Sequence, residues 1–340
     1  MKRSLALLVV AAVAIGGCGG KKSTGGNGPP PEITGIAAVP ANAEVVIAVD
    51  VPRVIDSPLV QRAVERLLLG SPDLAARWQQ LHDSCKLDFP KQVKRMVVAI
   101  GPHTGPKPGT GPVLIVATGQ FVEGTFVACV RAMLGKGDSS VAAKPVGAGT
   151  LYHATDGNRS MWFGFGRSDT VVLGSDEQYT TDALLPGKKL LDNPEMKTWM
   201  GFADQNAPAW AVGRADERVR AGLVKATAGE LSAGPTGLVL TADATSGLKV
   251  ELQAIMATDP DAKTLESFAK SQLGLMGAAA QVKSLGKIVD KVAISSDHNR
   301  VHLKVELDLD DINQLISVLD GGASSAQDSP PAASGSGSAQ

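Results

Sequence analysis

Between residues 44 and 320, short β-branched runs alternate with stretches of helical period, and nearly the same order is met twice. Glu44 to Val51 reads as a strand. Ser57-Pro58 then places an N-cap residue before a proline at the first helical position, and Leu59, Val60, Ala63, Val64, Leu67 and Leu68 give the three-to-four spacing of an amphipathic helix closed by Gly70. A second helix follows from Pro72, with Leu74, Trp78 and Leu81 on one face. Strands are expected at Val93 to Ile100, Val113 to Thr118, Thr150 to Ala154, Ser160 to Phe165 and Thr170 to Leu173, with helices at Glu123 to Leu134 and Asp176 to Leu185.

The later part repeats this layout. Strands at Trp210 to Val212, Leu238 to Ala242, Leu248 to Met256 and Val301 to Leu309 alternate with helices at Asp216 to Leu231, Asp261 to Leu273 and Asp311 to Leu319. The turn Thr155-Asp156-Gly157-Asn158-Arg159 is echoed by Ser296-Asp297-His298-Asn299-Arg300. The expectation is an α+β fold of two tandem related units, each an antiparallel sheet in ferredoxin-like (split βαβ) order, covered on one face by helices. The expected boundaries are 33–185 and 209–320, joined by a connecting segment at 186–208 with a short helix near Pro194 to Phe202.

The ends have a different composition. From Gly19 to Pro31 the chain is Gly, Lys, Ser, Thr, Asn and Pro, followed by Glu32, and from Gly321 to Gln340 it is rich in Gly, Ala, Ser and Pro. Neither stretch has apolar side chains enough to build a core, so 18–32 reads as a tether and 321–340 as a disordered tail. Ahead of the tether, Lys2 and Arg3 precede the apolar run Leu5 to Ile15. That run is short of the roughly 20 residues a bilayer-spanning helix needs and matches the core of a signal peptide. It leads into Ile15-Gly16-Gly17-Cys18, which resembles the lipobox of bacterial lipoprotein precursors, with Ile15 where leucine is commoner. The resemblance implies removal of 1–17 and lipidation of Cys18. Lipoproteins of this kind carry several acyl chains, and two or more anchor stably where one holds weakly. Gly19 follows the cysteine, not the aspartate that retains many lipoproteins at the inner membrane, which favours the outer membrane of the cell envelope. Ala12-Val13-Ala14 offers an alternative cleavage that would release a soluble protein, and an uncleaved anchor is a further alternative. The layout from Ile33 to Asp320 also resembles uncharacterised two-repeat lipoproteins of delta-proteobacteria such as myxobacteria, a resemblance that implies no activity.

Setting Cys18 aside leaves Cys85 and Cys129 of the chain's three cysteines. In an exported protein such a pair is expected to form a disulfide, with two buried free thiols as the alternative. The spacing is not C-x-x-C, so a redox pair is not expected.

The formal net charge is −1, and without Lys2 and Arg3 it becomes −3, from 31 basic against 34 acidic residues. No basic stripe marks a nucleic-acid partner. Gly20-Lys21-Lys22-Ser23 lacks P-loop spacing, and Gly164-Phe165-Gly166 lacks the third glycine and following helix of a dinucleotide fingerprint. Ser267/Lys270 and Ser284/Lys287 match Ser-x-x-Lys without the companion motifs of penicillin-recognising enzymes. For metal, His298 and His302 share strand parity but form no H-E-x-x-H, and Asp156-Gly157-Asn158 has no acidic ligand at calcium-loop spacing.

Glu306, Asp308 and Asp310 alternate with apolar residues as the wet face of a half-buried strand, and Asp311 with Gln314 has the pattern of a capping box. Trp78, Trp162, Trp199 and Trp210 each fall in an apolar pattern and are expected in the core. No catalytic, cofactor-binding or metal-binding residue is assigned, and no cofactor is expected. The reading is a lipid-anchored, non-enzymatic envelope module with an unidentified protein or lipid partner. The alternatives are a carrier for an apolar ligand such as lipid, and an enzyme with an unfamiliar site around residues such as His82, His103, His153 or the acids named above.

Overall fold

The computed structural model describes residues 35–85, 89–103, 111–134, 139–282 and 286–315. The lipobox, tether and tail, along with the last turns of the expected Asp311 to Leu319 helix, lie outside the described residues.

The chain is α+β and is built on one 12-stranded antiparallel sheet. Strand β1 (Val45–Asp50) lies near its middle, between β2 (Val93–Ile100) and β8 (Ala209–Arg214). Outward from β2 run β3 (Val113–Gly119), β7 (Thr170–Gly174), β6 (Arg159–Arg167), β5 (Gly149–Asp156) and the edge strand β4 (Ser139–Val146). Outward from β8 run β9 (Gly237–Asp243), β10 (Leu248–Ile255), β12 (Arg300–Leu307) and the other edge, β11 (Val292–Asp297).

The expected split-βαβ order is not what forms. A split βαβ sets its two parallel strands on either side of a third, whereas β1 and β2, with the helices between residues 51 and 92 joining them in the chain, are direct antiparallel neighbours here. On each side of the β1–β8 seam a meander (β1-β2-β3 or β8-β9-β10) is followed by a helix, and a later strand (β7 or β12) returns onto the last meander strand. The echoed turns are both hairpin turns, with positive φ at Gly157 (59°) and His298 (50°). They do not occupy matching places. The Asp297 turn leads into β12, which lies on the meander, while the Asp156 turn leads into β6, one strand further out.

Cover on one helical face was expected, but β2, β3 and β7 are buried on both. Val97, Ala99, Leu114, Val116 and Val172 face a core that includes Tyr179, Leu190, Met196, Trp199 and Trp210. Their alternates Met96, Val98, Ile115, Ala117, Val171 and Leu173 face a second core built on Phe121, Phe126, Val127 and Val130. Successive strand side chains point to opposite faces, so double burial requires apolar residues at both parities. That is why Met96 to Ile100 in β2 and Val113 to Ala117 in β3 are unbroken apolar runs.

The helices divide between the two faces. Helix α1 (Val51–Ile55) follows β1, then α2 (Pro58–Leu69), α3 (Pro72–Cys85) and α4 (Phe89–Gln92). Ser57 caps α2 by accepting from Val60 N, with Pro58 in the first turn, as the sequence indicates. Helix α5 (Glu123–Met133) supplies Phe126 to the second core, while α6 (Glu177–Leu184) and α7 (Pro194–Met200) cover the first. The stretch 186–208 is part of that core, because Leu190, Met196, Trp199 and Met200 pack with β1, β8 and β9 residues across the seam. Helices α8 (Glu217–Ala226) and α9 (Asp259–Val282), followed by the short α10 (Gly286–Val289), complete the fold. Residues of α8 and α9 join Leu231, Met256, Ile294 and Val301 in a third cluster.

Strand β12 ends at Leu307, short of the expected Leu309. Asp308 N donates to Asp311 Oδ2 and Asp311 N to Asp308 Oδ1, each at 2.9 Å. This reciprocal cap starts the last helical turns at 309, one turn ahead of the expected Asp311 cap, and takes Asp308 and Asp310 out of the strand ladder.

Candidate functional site

The two cysteines expected to pair are joined. Cys85 at the end of α3 and Cys129 within α5 form a disulfide with Cα atoms 5.0 Å apart, and both residues are buried. The bridge fastens the α1–α4 excursion to the helix that carries Phe126.

The histidines and acids considered for chemistry do not converge. His103 Nδ1 pairs with Glu44 at 3.0 Å. His153 stacks on Trp162, with ring centroids 3.8 Å apart. The side chain of His82 lies outside the described residues. Among the described residues, no group of three or more His, Cys, Asp and Glu side chains is placed to hold a metal.

Trp199 and Trp210 are buried in the first core as expected. Trp162 and Trp78 are half-buried, so the expectation of four core tryptophans holds for two of them. Trp162 lies on the β4–β6 side of the sheet, near the Lys144 ammonium at 5.5 Å from its ring.

At the opposite end of the sheet, His302 Nδ1 donates to Glu251 at 2.8 Å, and Lys304 lies 3.6 Å from the same carboxylate. Ser295 sits opposite His302 in the strand register. A histidine oriented by a carboxylate is a component of acid–base sites, but these residues stand on a sheet face with no groove described over them. They form a charge network on the wet face that strand alternation indicated.

A groove opens beside α8. It holds about 680 Å³ and is lined by Glu217, Arg220, Ala221, Val224 and Lys225 from the helix and by Ala228, Gly229 and residues 232–234 of the segment that turns back along it. The helix ends in a Schellman turn: Gly229 N donates to Val224 O at 3.0 Å and Ala228 N to Lys225 O at 3.1 Å. This holds Ala228 at φ 52° and Gly229 at φ 85°. Further on, Gly234 lies so close to the helix that a Cβ there would come within 2.4 Å of Arg220 Cα.

The far wall is pinned by Asp261 at the start of α9. Its carboxylate accepts from Ser232 N (2.8 Å), Ser232 Oγ (2.7 Å) and Thr258 Oγ1 (2.7 Å). Those hydrogen bonds, from Ser232 first and then Thr258, hold its pKa below the ordinary aspartate value. Sequence reasoning missed this groove because its parts are backbone turns and one unremarkable arginine. The weak signal was Ala228-Gly229, inside the stretch read as helix to Leu231.

No family model matches the chain, and no curated protein matches it. One solved structure, described as crystal form I of TP0453, is similar over 86% of this chain and 98% of that chain, with 11% identity and a TM-score of 0.38. A likeness at that level carries no argument about fold or function.

Proposed function

We propose that this chain is a lipid-anchored protein of the bacterial cell envelope, held by acyl chains on Cys18, whose folded body is a binding or structural module without enzymatic activity. The observation that carries the reading is the apolar run Leu5 to Ile15 ending in Ile15-Gly16-Gly17-Cys18. The Cys85–Cys129 bridge supports it, since disulfides persist in oxidising compartments such as those reached by export. Gly19 after the cysteine favours the outer membrane. The matching order of meander, helix and returning strand on either side of the seam supports a body made of two related units.

The test is the N-terminus of protein purified from cell envelopes. Mass spectrometry is expected to find a chain that begins at Cys18 and carries lipid, and Cys18→Ser is expected to leave it unlipidated. A chain that begins at Ile15 and stays free of vesicles would overturn the reading.

A further inference from the structure

The Arg220 guanidinium at the α8 groove has unused binding capacity. Its hydrogen bond runs from Nη1 to Glu217 at 3.0 Å, and Glu217 itself is largely exposed, with 79% of its side chain accessible. A rim pair of that kind contributes little and exchanges readily with solvent or another anion. Nε, on the other edge of the guanidinium, is buried and meets no hydrogen-bond partner among the described residues. Buried donors are ordinarily paired, and a fork of Nε and Nη donors is built to grip a carboxylate or phosphate through two parallel bonds.

The rest of the groove restricts what can use that fork. Ala221 and Val224 lie along the α8 stripe, with Ala228 and Ala233 on the returning segment, so much of the lining is apolar. Lys225 adds a second cation, which leaves Glu217 as the single acid among the lining residues. A volume of about 680 Å³ is in the range of small-molecule sites and far exceeds a bare phosphate. The walls are set by backbone rather than by long side chains, through the Schellman turn at 228–229, the close approach of Gly234 and the Asp261 clamp on Ser232.

We propose that this groove binds an anionic amphiphile. A carboxylate or phosphate head takes the Nε edge of Arg220, beside its Glu217 pair and near Lys225, while a short apolar chain runs along Ala221 and Val224. The inference deepens the binding role proposed above, and it relies on the envelope assignment only for where such a ligand comes from. A membrane lipid and a free small molecule share this head chemistry, and the vesicle arm below separates them.

The experiment uses the full chain carrying Cys18→Ser, so that no attached lipid competes and the outcome does not depend on the anchoring reading. Calorimetric titration with octyl phosphate below its micelle concentration is expected to show one site, at least about tenfold tighter than for octanol or inorganic phosphate. Arg220→Met is expected to weaken binding about tenfold or more, with Arg220→Lys, which keeps the charge without the fork, close behind. Glu217→Gln is expected to tighten it several-fold by removing the neighbouring anion. Circular dichroism identifies any variant that fails to fold, and Glu217→Gln, at an exposed position, keeps the test decisive if the Arg220 variants do not. Octanol or inorganic phosphate binding as tightly as octyl phosphate would overturn the proposal, as would unchanged binding in folded Arg220→Met or weaker binding in Glu217→Gln. Vesicles of phosphatidylglycerol that retain wild-type protein but not Arg220→Met would assign the head to a lipid surface. Octyl phosphate binding without vesicle retention would assign it to a free molecule.

Discussion

Ala48 on β1 and Trp210 on β8 are direct partners across the strand pair that joins the two parts of the sheet. The indole is buried in a core that also holds Val97 and Leu114 from one side of the seam and Val239 and Ile255 from the other. One side chain therefore serves both halves. Trp210→Ala should destabilise the protein by about 3–5 kcal/mol, the range for deleting a buried aromatic. Because the core is shared, denaturant unfolding of the variant, followed by tryptophan fluorescence and far-UV circular dichroism, should show one coincident transition at lower midpoint. Separate transitions for the two probes would contradict a shared core.

This seam is the feature least legible in the sequence. The strands on both sides of it were expected, yet no local pattern specifies that Ala48 pairs with Trp210, since register between segments some 160 residues apart is set by tertiary packing. The α+β class and most elements were readable because helical period and β-branched runs are local signals. The missed strands have local reasons too. Strand β4 carries Lys144 and Pro145, residues that blunt an edge strand and read as turn or loop. Strand β11 contains Ala293, Ser295 and Ser296 in place of a β-branched run. Double burial of β2 and β3 was visible in the apolar runs Met96 to Ile100 and Val113 to Ala117, but choosing helices for the second face required knowing where 186–208 packs. Of the sites, the cysteine pair followed from counting, whereas the groove depends on a helix ending early, at Ala226 rather than Leu231.

The disulfide closes a span of 44 residues between α3 and α5. On the chain-entropy model a loop of that length contributes about 4 kcal/mol. Changing both Cys85 and Cys129 to alanine should lower the urea midpoint correspondingly, and dithiothreitol should lower the wild-type midpoint without affecting the variant. Peptide mapping of unreduced protein should recover the two cysteine peptides joined. Free, alkylated thiols in protein purified from envelopes would remove the basis of this prediction.

Ala228 occupies the C′ position of the Schellman turn with φ 52°, where its Cβ is strained and glycine would be at ease. Left-handed backbone is disfavoured for an L-residue by roughly 1–2 kcal/mol. Glycine relieves that strain but adds unfolded-state entropy, so Ala228→Gly should stabilise by a net of about 0.5–1 kcal/mol. The expected readout is a rise of a few degrees in melting temperature. A fall would mean that the turn is held by contacts of the alanine methyl instead.

Asp261 links the acid stability of the protein to the groove wall. Its folded pKa lies below the ordinary value because Ser232 and Thr258 donate to the ionised carboxylate. A carboxylate with a depressed folded pKa stabilises the protein at pH above its unfolded value, near 3.9, and loses that contribution as pH falls through the folded value. Asp261→Asn weakens these hydrogen bonds and should be destabilising by about 1–3 kcal/mol at neutral pH. Measured by urea denaturation from pH 7 downward, the gap between wild type and variant should stay constant to about pH 4 and then narrow. A gap that persists unchanged well below that pH would show that shape, not charge, holds Ser232 against the start of α9.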